Sequence, residues 1–261
     1  MATEVLREIH SPVSQPLQGK VALVTGGARG IGRAIAVALA RQGASLAVNY
    51  NSSIQEAETL REELRDLDTE CVMVRADISR SEDARHLVES VLESDLHRID
   101  ILVNNAGITR DRSVRKMSDS DWDDVIKTNL SGTFYCTSAV LPHMVEARFG
   151  RIINISSMNG QTSCFGQANY AASKGGVIAF TKALALEVAK YNITVNTVSP
   201  GYTETDMFAK VSAEAREQIR SRIPMGRFAL PEEIASAAVF LATAADYITG
   251  QQINVNGGAY M

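Results

Sequence analysis

Tyr170 and Lys174 stand four residues apart in a stretch, 169–190, with helical periodicity, so both project from one face. Ser157 closes the apolar run 151–157 just before it. A phenol, an ammonium and a hydroxyl gathered in this way suit carbonyl reduction. Hydride attack on a carbonyl carbon builds an oxyanion, which needs a hydrogen-bond donor and then a proton. Ser157 is the candidate donor to that oxygen and Tyr170 the candidate acid. A phenol titrates near 10. An ammonium ~4 Å away interacts by about 4 kcal/mol at an effective dielectric of 20, or up to roughly 3 pKa units. Lys174 is therefore expected to lower the tyrosine. Asn129, in Thr128-Asn129-Leu130, is a candidate to complete a proton path through water.

A reductase needs a hydride donor, and a glycine-rich turn offers a place for one. Thr25-Gly26-Gly27-Ala28-Arg29-Gly30-Ile31-Gly32 joins an apolar run, 20–26, to an amphipathic stretch, 30–43. Glycine lets backbone approach a pyrophosphate closely, and a helix N-terminus favours anions. Gly26, Arg29, Gly30, Ile31 and Gly32 are the candidate contacts. A site preferring the unphosphorylated dinucleotide wants an acid about 20 residues on, at the end of the second strand. That end reads Asn49-Tyr50-Asn51-Ser52-Ser53, without a carboxylate. Asn49 is the candidate contact there, and Arg29 can fork onto a 2′-phosphate. The expected cofactor is NADPH/NADP rather than NADH.

The elements that must position these groups alternate along the chain. Apolar, β-branched runs at 20–26, 45–50, 71–77, 99–107, 151–157, 193–201 and 251–258 read as strands. Amphipathic stretches at 30–43, 55–67, 81–93, 118–145, 169–190 and 231–244 read as helices. Ser118 with Asp121 caps one, Gly43 ends another, and Pro231 opens the last. The pattern predicts an α/β fold: one doubly wound parallel sheet with helices on both faces. Ligands in such sheets bind beyond the carboxyl ends of the strands. The motifs TGGARG, NNAG, ISS and SPGY each begin at a strand end and should converge on one crevice.

Composition narrows the function further. The chain has 261 residues, 45% of them hydrophobic, which suffices for one globular domain at 19–261. Residues 1–18 read as a polar extension, unlike a signal peptide. Lys+Arg 26 against Asp+Glu 30 gives a net charge of −4, a poor footing for nucleic-acid binding. No apolar run reaches the ~18 residues of a membrane span. Cys71, Cys136 and Cys164 form no CxxC pair and suit a reducing, cytoplasmic setting, and the four histidines lack metal-ligand spacing. No G-x-S-x-G elbow supports a hydrolase.

Taken together, TGGARGIG, Asp77, NNAG at 104–107, Asn129, Ser157, Tyr170-x-x-x-Lys174 and Pro200-Gly201 resemble the short-chain dehydrogenase/reductase family over about residues 18–261. The resemblance implies a Rossmann-type sheet of about seven strands and NAD(P)-dependent oxidoreduction. It also implies that Asp77 and Ile78 meet the adenine, Asn105 the adenosine ribose region, and Thr203, after Pro200-Gly201, the carboxamide. Tyr170 and Lys174 would bind the nicotinamide ribose as well. GITRD, SPGYTETDM and VNGGAYM look like the 3-oxoacyl-thioester reductases, whose substrates ride on coenzyme A or on acyl carrier protein. The resemblance implies a homotetramer. For carrier docking, Arg148 matches one of the branch's two surface arginines, but Tyr191 replaces the other, with Lys190 beside it. The stretch 155–161, with Phe165-Gly166-Gln167 before Asn169-Tyr170, looks closer to the coenzyme A branch, acetoacetyl-CoA reductase, although Cys164 departs from it where glutamine is usual.

Phe165, Gln167, Tyr202 and Met207 are candidate walls of an acyl pocket. Arg110, Arg112, Arg115 and Lys116 form a basic cluster beside NNAG. Segment 204–222 reads as an irregular excursion able to act as a lid. Reduction of another ketone, or a silent nucleotide-sensing role, are the competing readings.

Overall fold

A computed structural model describes residues 15–205 and 212–261. Seven strands form one parallel sheet: β1 (Val21–Val24), β2 (Ser45–Tyr50), β3 (Cys71–Arg75), β4 (Ile101–Asn104), β5 (Gly150–Ile155), β6 (Ile193–Pro200) and β7 (Gln252–Val255). Their order is β3-β2-β1-β4-β5-β6-β7. The order reverses between β1 and β4, and a crevice opens at such a switch point.

Side chains alternate across the sheet because the strand period is two. Ala22 and Val24 of β1 face one layer, while Val21 and Leu23 face the other. Helices α1 (Gly30–Arg41), α2 (Ile54–Asp66) and α9 (Pro231–Thr243) cover the first face, packing Ile35, Leu39, Leu60, Leu64, Ile234 and Leu241. Helices α3 (Ser81–Glu93), α5 (Gly132–Ala147) and α7 (Ala168–Val188) cover the second, with Leu87, Val91, Val140, Met144, Leu184 and Val188. Leu17 already packs in the first layer and its N–H donates to Gln42 O, so the packed chain begins before residue 19. No helix among the described residues is long and apolar enough to cross a membrane.

The long helix expected over 118–145 is broken. The Ser118 capping box starts α4 (Asp119–Ile126), and a π-helical turn, Lys127–Ser131, separates it from α5. Single π turns inside α-helices are frequent at functional sites, and this one holds the buried Asn129. Two helices stand where loops are expected: the single turn α6 (Asn159–Thr162), directly after β5, and α8 (Ala213–Arg220), inside the excursion 204–222. Ser212 caps α8 by accepting from Ala215 N.

Candidate active site

The first walls of the site come from β1 and β4. Thr25 Oγ1 accepts from Asn105 N at 3.0 Å and from Ala106 N at 3.2 Å. Asn105 Nδ2 donates to Thr25 O and Gly26 O, each at 3.0 Å. The NNAG segment is thus stitched to the glycine turn. Glycine is required here. Gly26 has φ +58°, and a methyl on it would lie 2.9 Å from Ala106 Cα. A methyl on Gly32 would run into Asn105 Nδ2 and Gly26 O.

Asn49 takes a different part from the one its position suggests. It is buried, and its Oδ1 accepts from Gly26 N at 3.3 Å while its Nδ2 donates to Ala76 O at 3.0 Å. With its amide spent on backbone, Asn49 braces the turn from behind and does not line the crevice. Asp77 and Ile78 do not line it either. Asp77 accepts from the Ser79 N–H and hydroxyl, and Ile78 is buried beneath Gly132. Arg29, at the N-cap of α1, is exposed and lines the crevice.

The second wall is β5 with α7. A buried polar chain fixes the register of that helix. Asn104 Nδ2 donates to Asn154 Oδ1 at 2.8 Å, Asn154 Nδ2 to Thr181 Oγ1 at 2.8 Å, and Ser156 Oγ to Lys174 O at 2.8 Å. These bonds set Tyr170 and Lys174 against Ser157, which hydrogen-bonds the Tyr170 phenol.

The electrostatics differ from the simple expectation. Burial raises the Tyr170 phenol, the Ser157 bond pulls it down, and Asp111 raises it further. Lys174 does not lower it. The ammonium sits 5.8 Å from the ring centroid and donates to Ile155 O at 2.7 Å. Burial pulls Lys174 itself down to about 8. The desolvation of both groups outweighs their attraction.

Asn129 is fully buried, and three of the four hydrogen-bonding positions of its side-chain amide are taken by protein groups. Its Oδ1 accepts from Ile108 N at 2.8 Å, and its Nδ2 donates to Ile108 O at 3.0 Å and Ser173 Oγ at 3.1 Å. The side chain is a bracket between the loop after β4 and α7. It still borders the site: a methyl on Gly107 would lie 3.3 Å from Asn129 Oδ1 and 3.5 Å from Lys174 Nζ.

All of this frames one cavity of about 520 Å³. It runs from Gly26, Arg29, Gly30, Ile31, Gly32 and Asn105 to Ser157, Tyr170 and Lys174. Pro200, Gly201 and Thr203, at and beyond the end of β6, close it. Gln167 and Tyr202 line the same cavity. Phe165 does not line the cavity: it is 92% exposed. Met207 lies outside the described residues. Asp111, Asn159 and Cys164 also line the cavity, and the sequence reading gave them no part in the pocket. Asp111 follows the NNAG motif by four residues and Asn159 follows Ser157 by two, which is the signal that could have found them. Among the described residues no cluster of His, Cys, Asp or Glu has the arrangement of a metal site.

The cradle fits a phosphorylated dinucleotide. It offers bare backbone at the turn, a free-standing arginine beside it, and no carboxylate at the end of β2.

Comparison with known proteins agrees with this geometry. The family model described as short chain dehydrogenase matches residues 20–216. A 3-oxoacyl-[acyl-carrier-protein] reductase FabG of Staphylococcus aureus (strain Mu50) is 46% identical over 243 residues, 93% of this chain and 98% of that protein. One from Aquifex aeolicus is 46% identical over 246 residues, 94% of this chain and 98% of that protein. A 3-oxoacyl-[acyl-carrier-protein] reductase of Synechocystis sp. is 46% identical over 247 residues, with the same two shares.

Proposed function

Because the chain belongs to the short-chain dehydrogenase family, we propose that it is an NADPH-dependent reductase converting 3-oxoacyl thioesters to 3-hydroxyacyl thioesters. One observation carries the reading: a single cavity joins the glycine turn to Ser157, Tyr170 and Lys174. A bound NADPH supplies the hydride.

The chain's own groups do the rest. Arg29 meets the 2′-phosphate, and the amides of the turn meet the pyrophosphate. The Ser157 hydroxyl donates to the substrate's carbonyl oxygen and holds it beside the phenol. Tyr170 gives its proton to the oxygen as the oxyanion develops. A phenol raised by burial keeps that proton at neutral pH, which suits the acid role in reduction. Lys174, at about 8, is still mostly an ammonium at pH 7 and faces the charge left on the phenolate. Asn105 lies beside the adenosine ribose, and Thr203 meets the carboxamide.

The acyl donor we propose is the carrier protein. The relatives' names support this. So does the surface: Arg148 Nη2 donates to Lys190 O at 3.2 Å, which keeps two cations adjacent where an acidic partner docks. Gln167 and Tyr202 line the acyl end. Exposed apolar groups on α5 and α7, Phe134 at 50% and Leu186 at 87%, support assembly into a homotetramer. The three free cysteines support a cytoplasmic setting. The deciding experiment compares NADPH oxidation with matched acetoacetyl-carrier and acetoacetyl-CoA substrates. The carrier form should give a kcat/KM at least about tenfold higher. A preference for the coenzyme A form would overturn the choice of donor. No turnover with either would overturn the reductase reading.

A further inference from the structure

Three side chains between the cavity mouth and Ser157 form a continuous hydrogen-bonded array. Gln167 Nε2 donates to Asp111 Oδ2 at 2.8 Å. Asn159 Nδ2 donates to Gln167 Oε1 at 2.8 Å. The Asn159 backbone N–H donates to Ser157 Oγ at 3.1 Å. The array therefore runs from an exposed carboxylate, through two half-buried amides, to the buried serine. A backbone bond lies alongside it: Arg112 N donates to Gly166 O at 2.8 Å and holds the loop after β4 to the loop before α7.

The polarity of the array is set at its outer end. An ionised carboxylate only accepts, so Gln167 must turn its NH₂ to Asp111 and its carbonyl oxygen to Asn159. Asn159 must then donate. Pinned in this way, the α6 turn aims its backbone N–H at Ser157 Oγ. That bond occupies one lone pair and leaves the serine's own proton to point at the phenol or at a carbonyl oxygen.

We propose that Asp111, Gln167 and Asn159 act together as positioning residues that fix the Ser157 hydroxyl against Tyr170. The proposal rests on the reductase reading, in which Ser157 and Tyr170 touch the reacting oxygen, and names what holds them in line.

The test follows the Tyr170 phenol directly, without nucleotide or substrate. Its titration is obtained by ultraviolet difference absorbance of the full chain, with the Tyr170→Phe signal subtracted. The charged and titratable groups sharing the cavity, Arg29, Asp111, Cys164, Lys174 and Tyr202, are unchanged in the variants used. The Ser157 bond pulls the phenol down, so Ser157→Ala should raise its midpoint. Asn159→Ala should raise it too, by a smaller amount. The double variant Ser157→Ala/Asn159→Ala should sit with Ser157→Ala, because the influence passes through the serine. Asn159→Leu, close in shape, uncharged and unable to donate, should behave like Asn159→Ala and serves if the alanine variant does not fold. In turnover both variants should lower kcat by about three- to tenfold with little change in KM.

An unmoved midpoint in both Asn159 variants, or additive shifts in the double variant, would overturn the proposal. Either result would leave the reductase reading standing, since that reading depends on turnover with thioesters and not on this titration.

Discussion

The Lys174 ammonium donates to the Ile155 carbonyl at 2.7 Å, tying the middle of α7's first half to the last residue of β5. The bond places a cation two residues before Ser157 but inside a desolvated pocket, and the desolvation has a consequence for stability. The group's ordinary value is near 10.5, and in the fold it falls to about 8. Below pH 8 both folded and unfolded chains carry the proton, and the burial cost is fully present. Between about 8 and 10.5 only the unfolded chain binds it, so stability rises with pH through that window. The roughly 2.5-unit depression corresponds to about 3 kcal/mol. Cys136, raised to about 12, works in the opposite direction above pH 9, so the lysine must be isolated by difference. Denaturant curves of wild type and Lys174→Met should converge by about 3 kcal/mol between pH 7 and 10.5, starting with the methionine variant favoured. Parallel curves would mean the lysine is not desolvated.

The cofactor's 2′-phosphate should depend on one cation. Arg29→Ala should raise KM for NADPH by roughly ten- to 150-fold, the loss of a charge-assisted contact worth roughly 1.5–3 kcal/mol. KM for NADH should move little. Equal losses for both would place Arg29 elsewhere on the nucleotide.

Gly32→Ala tests the cradle. The added methyl meets Asn105 Nδ2 and Gly26 O, the groups that stitch the turn to NNAG. Fluorescence titration should show nucleotide affinity lost, with a lower Tm. Retained affinity would mean the turn relaxes freely and is not a fitted site.

Much of the fold can be read from the sequence because its parallel strands are buried on both faces and its covering helices carry apolar stripes. β2 and α3 fall on the residues their patterns predict, Ser45–Tyr50 and Ser81–Glu93. Where an element is short or polar, the pattern is faint. α8 runs only eight residues, four of them charged, and none is fully buried, so its apolar positions do not stand out. α6 spans four residues, less than one repeat of an apolar pattern can reveal. The π turn around Asn129 interrupts a stretch that reads as helix throughout, because one extra residue per turn leaves composition unchanged.

The site divides the same way. Tyr170 and Lys174 are legible from their spacing along α7, and Ser157 and the glycine turn from standing where β5 and β1 end. Asn49 was not, since its burial depends on where the end of β3 passes over it. The phenol's direction of shift was also hidden: charge is visible in a sequence, whereas desolvation is a property of the packed cavity.

Asn129 offers a further check on the bracket. Asn129→Ala leaves the half-buried Ile108 N–H without its acceptor. The loss should cost about 2–3 kcal/mol in urea unfolding and lower kcat as the loop after β4 detaches from α7. An unchanged unfolding midpoint would show that the bracket is dispensable.

The account turns on Tyr170 as the proton donor, and single-turnover NADPH oxidation by Tyr170→Phe with a 3-oxoacyl carrier substrate tests it most directly. With bound nucleotide verified by fluorescence, the rate should fall by at least ~10²–10⁴. A rate within tenfold of wild type would contradict the assignment and the chemistry built on it.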